Sequence, residues 1–389
     1  MKNREVLSSG VYNTLYTAGE IAGQPDLWST IASQVFREKP SIASFIGSSL
    51  NDVDCIIFTG AGTSSYIGLS LQGLFKRKFR KNSLVIPTTD IVTYPSDYFC
   101  AETKVLLISF ARSGKSPESK AAVEFADRLC GKCHHLIITC DGDSILANHE
   151  TTNPKHVLVL PPESNDKGLA MTGSYSGMLL AGILIANIFD LDQVMSQIDT
   201  LCNYGRNILD KYVLPLKQIA LKNFERGVFM GSGPSYGTAA ESHLKLQELT
   251  NGIIMCKSES FLGLRHGPKA IIHSNTLLCY IFSNKQYVIQ YENDLVNAIA
   301  RDHNPDTQIG ICENPLSNND FDLLISLSEN NSHIDETLLT VCNVMPAQIL
   351  GFYKSLQLGL NPDNPSANNA ISRVVEGVKI YDFKNELNY

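Results

Sequence analysis

A chain of 389 residues, 43% hydrophobic and 18% charged, has enough apolar mass for packed cores and a length that suits two or three domains. Its formal charge is -7, and its basic residues form one short run, Lys76-Arg-Lys-Phe-Arg-Lys81, against an acidic whole, so no nucleic-acid partner is expected. The start, MKNREVLSSG, has no apolar stretch behind its basic residues, and the aliphatic run at 178–189 is too short for a bilayer, so a soluble, cytoplasmic protein with no membrane partner is expected.

Residues 1–50 read as a helical N-terminal segment, with Gln24-Pro25 as a stop signal. An apolar run at 55–58 then meets Thr59-Gly-Ala-Gly-Thr-Ser64 and a helix-like stretch at 66–78, a buried strand followed by a Gly-rich turn and a helix. Strands are expected at 84–86 and 105–109. The latter leads into Phe110-Ala-Arg-Ser-Gly-Lys-Ser-Pro-Glu118 and a helix to residue 129. Two more strands, 136–139 and 156–160, precede a long apolar helix at 172–189. Strands alternating with helices predict α/β architecture with a doubly wound parallel sheet.

The pattern then restarts. Val228-Phe-Met-Gly-Ser-Gly-Pro-Ser235 answers Ile57-Phe-Thr-Gly-Ala-Gly-Thr-Ser64 at an offset of 231 − 60 = 171, and the strand at 105–109 lands on 276–280 at the same offset. This predicts a duplicated domain. The expected organisation is a first α/β domain at 51–195, a helical connector at 196–225, a second domain at 226–365 and a tail at 366–389.

Ten scattered cysteines, mostly in apolar runs, read as small hydrophobes in a reducing compartment. Cys130-Gly-Lys-Cys133-His134 fits half a zinc site, but no second CxxC follows, so it reads as a helix end before the strand at 135–139. No metal and no cofactor are expected. The Gly60-Ala-Gly62 turn is no dinucleotide fingerprint, because Ser65 stands where a third glycine belongs and Arg80-Lys81 stand where an acid is needed.

Two constellations carry chemistry. Ser109, Arg112, Ser113, Gly114, Ser116 and Ser119 follow a parallel strand, where ligands of open α/β sheets bind. A helix starting near Ser116-Pro117 would aim free N–H groups at that loop, making a phosphate cradle, with the Thr63-Ser64 turn converging on it. The plainer alternative is a serine N-cap in a polar turn. In the second copy, Glu241, Lys245 and Glu248 fall at i, i+4 and i+7 on one helix face, which is either a site or an exposed ion ladder. His266 sits in the turn Arg265-His-Gly-Pro268. A carboxylate able to move a proton between C1 and C2 of an open-chain sugar, and a histidine able to open the ring, fit aldose–ketose chemistry.

Thr17-Ala-Gly-Glu-Ile-Ala-Gly-Gln-Pro-Asp-Leu-Trp28, Ser109–Ser119, Arg265-His-Gly-Pro268 and Asn361-Pro-Asp-Asn-Pro365 with Arg373-Val-Val-Glu376 resemble a tandem SIS-domain family. Its members are the tagatose-6-phosphate ketose/aldose isomerases and galactosamine-6-phosphate deaminases, with a more distant likeness to the isomerase half of glucosamine–fructose-6-phosphate aminotransferase. The resemblance implies two flavodoxin-like SIS domains and a sugar-phosphate substrate. It places phosphate binding on Ser113 and Ser116 with Arg112, sugar contacts on Thr63 and Ser64, and the isomerising carboxylate on Glu248. It places the supporting pair on Glu241 and Lys245. The ring-opening histidine falls on His266, supplied to the neighbouring subunit of a homodimer or dimer of dimers. Ala111 stands where the aminotransferase has a phosphate serine, and its C-terminal lysine has no match, Arg373 lying nearby. No cysteine precedes Cys55 and no glutaminase domain fits, so release of ammonia from galactosamine 6-phosphate is expected over its addition. A non-deaminating isomerase and a non-catalytic sugar-phosphate sensor are the alternatives.

Overall fold

Helix α1 (Tyr16–Asp52) runs through both Pro25 and Pro40. The expected stop at Gln24-Pro25 is therefore corrected. A proline nitrogen cannot bond the carbonyl four residues back, and the Ile21 carbonyl instead accepts from the Gln24 side-chain amide at 3.2 Å. Tertiary burial of Ile21, Leu27, Trp28, Ile31 and Val35 holds the helix together across the break.

The computed structural model describes residues 7, 15–302, 305, 307–316, 321–366, 370–375 and 377–383. Parts of the expected N-terminal segment (1–6, 8–14), second domain (303, 304, 306, 317–320) and tail (367–369, 376, 384–389) lie outside the described residues.

The first sheet is built from β1 (Cys55–Thr59), β2 (Asn82–Val85), β3 (Lys104–Ala111), β4 (Lys132–Thr139) and β5 (Lys155–Val159), all parallel in the order β2-β1-β3-β4-β5. Helices α2 (Thr63–Phe79), α3 (Pro117–Leu129) and α4 (Gly173–Ala186) belong to this half. Every residue of β3 and β4 after the leading lysine is buried, as a sheet covered on both faces requires. Helix α4 is shorter than the apolar run that predicts it. It stops at Asn187, whose side-chain amide donates to the Ile183 carbonyl at 2.8 Å, and a single 3-10 turn follows at Ile188–Asp190. All of α4 is buried, and among the described residues no single helix is long and apolar enough to cross a membrane.

Helices α5 (Ile198–Asn207) and α6 (Val213–Ala220), joined by a π-helical turn at Ile208–Tyr212, lead into the second sheet. Its strands β6 (Arg226–Gly231), β7 (Met255–Glu259), β8 (Thr276–Ile281), β9 (Thr307–Cys312) and β10 (Leu323–Ser326) are again all parallel. Their order, β10-β9-β8-β6-β7, is the first sheet's order repeated. Helices α7 (Pro234–Leu249) and α8 (Gln286–Asp302) occupy the places of α2 and α3, and α9 (Glu336–Cys342) and α10 (Met345–Gln357) complete the half. The first strand and the first helix of each half keep one offset, 226 − 55 = 171 and 234 − 63 = 171. The turns between them match as well: Gly62 and Gly233 have φ of 53° and 54°, a left-handed conformation that glycine adopts without steric cost. Helices α2 and α7 pack on one another, with Ser70 Oγ donating to the Pro234 carbonyl at 2.8 Å. That crossing brings the N-terminus of α2 beside the polar face of α7.

Candidate active site

The strand β3 ends in the loop that carries the expected anion cradle. Ser116 is the N-cap of α3, accepting from the Ser119 N–H at 3.3 Å and sharing a 2.7 Å hydroxyl pair with Ser119, while Pro117 occupies the first helical position. The N-cap and the cradle are thus one arrangement, since a capped helix still presents its remaining N–H groups to an anion. Gly114 turns the loop at φ +55°, and a Cβ there would lie 2.5 Å from Ser144 Oγ. The cleft so formed has a volume of about 110 Å³ and is lined by Ser64, Arg112, Ser113, Ser116 and Ser119, with Arg373 and Val375 of the tail along one side. Lys115 is drawn away to Asp141 at 3.0 Å. Ser109 lies buried on β3, its hydroxyl without a partner.

Arg112 is the unusual member. Only 6% exposed, it donates to the carbonyls of Gly168 at 3.4 Å, Leu169 at 3.1 Å and Arg373, and its Nε has no partner. Burial, and then the neighbouring Arg373 guanidinium, lower its pKa. A buried cation whose hydrogen bonds go to carbonyls suits a bound phosphate, which would add charge-assisted bonds.

The second constellation is on α7. Glu241 and Lys245 are wholly buried, which excludes the exposed ladder. Lys245 Nζ lies 3.3 Å from Glu241 Oε1, 2.6 Å from Glu248 Oε2 and 3.1 Å from Thr63 Oγ1 at the start of α2. Complete burial pushes the Glu241 carboxyl up to about 8. Burial also opposes the Lys245 charge, but the two carboxylates outweigh it and hold that pKa above its ordinary value. One buried cation thus lies between two carboxyl groups, the buried Glu241 and the partly exposed Glu248. Glu248 keeps 24% of its side chain exposed, and its charge reaches Arg112. Ser64 lines the cleft and its neighbour Thr63 meets Lys245, so the two constellations adjoin at the start of α2.

His266 stands apart. It is exposed in the turn after the short helix Phe261–Leu264, and among the described residues no hydrogen bond or ion pair joins it to the other candidates.

The SIS domain family model matches residues 49–188. The chain is 35% identical to the D-galactosamine-6-phosphate deaminase AgaS of Shewanella sp. (strain ANA-3) over 96% of its own length and 93% of the relative's. The chain belongs to this family. An Escherichia coli relative of the same name is 34% identical over 95% of this chain and 96% of its own. The crystal structure of tagatose-6-phosphate ketose/aldose isomerase from Escherichia coli superposes with a TM-score of 0.86 at 30% identity, covering 97% of this chain and 99% of that one. Like those proteins, this one is a sugar-phosphate enzyme of the isomerase class.

Sequence reasoning left Arg373 outside the site, yet it lines the phosphate cleft and its guanidinium donates to the Asp166 carbonyl and the Asn165 side chain. Glu20 and Asp166, which hold the loop beside Arg112, were also missed; the only signal for them was that the family-like stretch at 17–28 contains Glu20. The Cys130–Cys133 segment is corrected in one respect, since β4 already begins at Lys132. Asp127, Cys133 and His135 bring metal-type ligand atoms within 4.8 Å of one another. However, the Cys133 sulfur is 3.5 Å from Nε2 and 3.9 Å from Nδ1 of His135, which puts it over the ring and off the Nε2 lone-pair direction. Asp127 is instead a hydrogen-bond hub for His135, His149, Thr151 and Asn153. Burial alone would raise its pKa, but bonds from His135, His149 and Asn153 outweigh that and hold it well below the carboxylate range.

Proposed function

We propose that the chain converts galactosamine 6-phosphate and water to tagatose 6-phosphate and ammonia. One observation carries this reading: the cleft of the first half, lined by Ser64, and the Lys245–Glu248 pair of the second are joined through Thr63. The names of the full-length relatives support the choice of sugar.

Ser113, Ser116 and the N-terminus of α3 hold the phosphate, with Arg112 supplying its charge. Thr63 and Ser64 meet the sugar chain. In the opened 2-amino aldehyde, Glu248 takes the C2 proton, and the electron pair moves to give an enolamine whose oxygen is stabilised by donors at the crevice. Return of the proton to C1 leaves an imine at C2. Water adds to that carbon, the C–N bond breaks and ammonia departs, leaving the ketose. Lys245 aims Glu248, and buried Glu241 holds Lys245 in turn. His266, exposed in its own chain, would open the ring in the crevice of a second copy, so the working unit is a homodimer or a dimer of dimers. The ten free cysteines, six of them buried, suit the reducing cytoplasm, where phosphosugars are confined.

Ammonium release from galactosamine 6-phosphate and glucosamine 6-phosphate, assayed separately, tests the reading. Release from the galacto sugar and little from the gluco sugar is expected. No ammonium from either, with ketose formed from a non-amino aldose 6-phosphate, would reduce the enzyme to a plain isomerase, and silence on all three would leave a sensor.

A further inference from the structure

The stretch at 17–28 has no part in the chemistry above, yet each polar side chain in it that the structure ties down has a specific partner. Thr17 donates from its N–H and hydroxyl to Asp363 at 2.8 and 2.7 Å, Gln24 donates to Gln348 at 2.7 Å, and Trp28 donates to Ser176 at 2.9 Å. These bonds tie α1 to the interior and the tail. Glu20 does something else. Its Oε1 accepts from the N–H groups of Lys167 and Gly168 at 2.5 and 3.3 Å. Both belong to the loop whose carbonyls hold the two arginines of the phosphate cleft.

The loop at 165–169 is pinned from two sides. On one side is Glu20. On the other, the Asp166 carboxylate accepts from the N–H groups of Thr172, Gly173 and Ser174 at 2.8, 3.1 and 2.9 Å, fixing the loop to the start of α4. Between these anchors the Gly168 and Leu169 carbonyls face Arg112, and the Asp166 carbonyl receives Arg373 Nε at 2.9 Å. The Gly168 residue itself is the link, with its N–H on Glu20 and its carbonyl on Arg112. The packing leaves no slack, because a Cβ on Gly168 would lie 2.6 Å from Thr17 Oγ1 and 3.1 Å from Glu20 Oε2.

We propose that Glu20 is a positioning residue for the phosphate site: through the Lys167–Gly168 backbone it sets Arg112, and so fixes affinity for the phosphate end of the substrate without touching it. This rests on the cleft being the phosphate site, but not on the identity of the sugar or the fate of its nitrogen.

The test uses full-length protein and two probes, inorganic phosphate for binding and galactosamine 6-phosphate for turnover. Glu20→Ala is expected to raise both the phosphate Kd and the KM about 10-fold, the scale of one hydrogen bond, with kcat within about 2-fold. Glu20→Gln keeps an oxygen for the two N–H groups and should recover most of the loss. If the alanine variant does not fold, Glu20→Asp, which withdraws the carboxylate by one methylene, should give the same split at about 3-fold. Combined with Arg112→Ala, the Glu20 substitution should add no further loss, since both act on one contact. Additive losses in the double variant, an unchanged phosphate Kd, or a fall in kcat at constant KM would overturn the proposal. Wild-type protein that binds phosphate but turns over neither hexosamine phosphate would remove the reaction and leave this coupling measurable by Kd alone. Wild-type protein that binds no phosphate would remove both.

Discussion

The two halves repeat one strand-end loop at an offset of 171, and the proposed reading gives the phosphate to the first copy alone. At the offset of 171, Arg112 and Ser113 of the first half become Ser283 and Asn284 of the second (112 + 171 = 283, 113 + 171 = 284). In the first crevice a buried guanidinium rests on carbonyls and has a donor to spare. In the second, carboxylates have moved in. Glu292 accepts from the Ser283 N–H at 2.9 Å, Glu336 accepts from the Ser283 hydroxyl, and buried Glu313 accepts from Asn284 at 2.8 Å and pairs with His333 at 2.7 Å. Lys285, the counterpart of Gly114, is paired to Glu336 at 2.8 Å. A phosphate dianion arriving there would meet three acids whose partners are already placed, and like charge in a buried site repels strongly.

The helices differ the other way round. Glu241, Lys245 and Glu248 of α7 correspond to Ser70, Leu74 and Arg77 of α2 (241 − 171 = 70, 245 − 171 = 74, 248 − 171 = 77). On the proposed reading the second half therefore lacks the cradle and holds the acid–base residues, while the first half has the cradle and none of them on α2. Because α2 and α7 cross, the retained parts of both copies face each other through Thr63 and Lys245. One complete site results, and neither half contains it alone.

The largest expected effect follows from that division. Glu248→Gln should lower kcat by about 10³-fold, within the range for loss of a general base, with the Kd for galactosamine 6-phosphate nearly unchanged. Arg77→Ala at the matching place on α2 should leave both constants alone. Equal loss of binding and turnover in the Glu248 variant would mean that it holds the sugar and is not the base.

A smaller effect concerns the acids of the second crevice. Burial pushes the Glu292 carboxyl up to about 7, and its Oε1 has no partner. A carboxyl raised on folding binds its proton more tightly in the native state, so its contribution to stability is present below about pH 4.5 and declines as pH rises towards 7. Glu292→Gln removes that dependence. Its melting temperature relative to the parent should therefore rise by a few degrees between pH 5 and pH 8, while turnover of the sugar phosphate is unaffected. A difference independent of pH would show that Glu292 does not titrate in this interval.

Much of this arrangement was legible in the chain because it is written locally. Gly60–Ser64, Gly231–Ser235 and Ser113–Pro117 each mark a strand end and a helix start within a few residues, and the first two, with the strands at 105–109 and 276–280, disclosed the duplication by sharing one offset. The spacing of Glu241, Lys245 and Glu248 was visible too, but a buried face and an exposed ladder share it, and only the packing of α7 on α2 distinguishes them. What stayed hidden depends on distant partners. Pro25 does not end α1 because a neighbouring glutamine rescues one carbonyl and the core holds both sides. Arg373 reaches the site by contacts 207 residues away in sequence, and Glu20 by contacts 147 and 148 residues away, distances over which no local pattern operates.

The most direct test of a single working crevice is the stoichiometry of galactosamine 6-phosphate binding, measured by calorimetry on Glu248→Gln protein so that ligand is not consumed. One equivalent per chain is predicted, lost on Ser113→Asp and kept on Asn284→Asp. Two equivalents, or one that survives Ser113→Asp and disappears on Asn284→Asp, would contradict the assignment of the phosphate site to the first half.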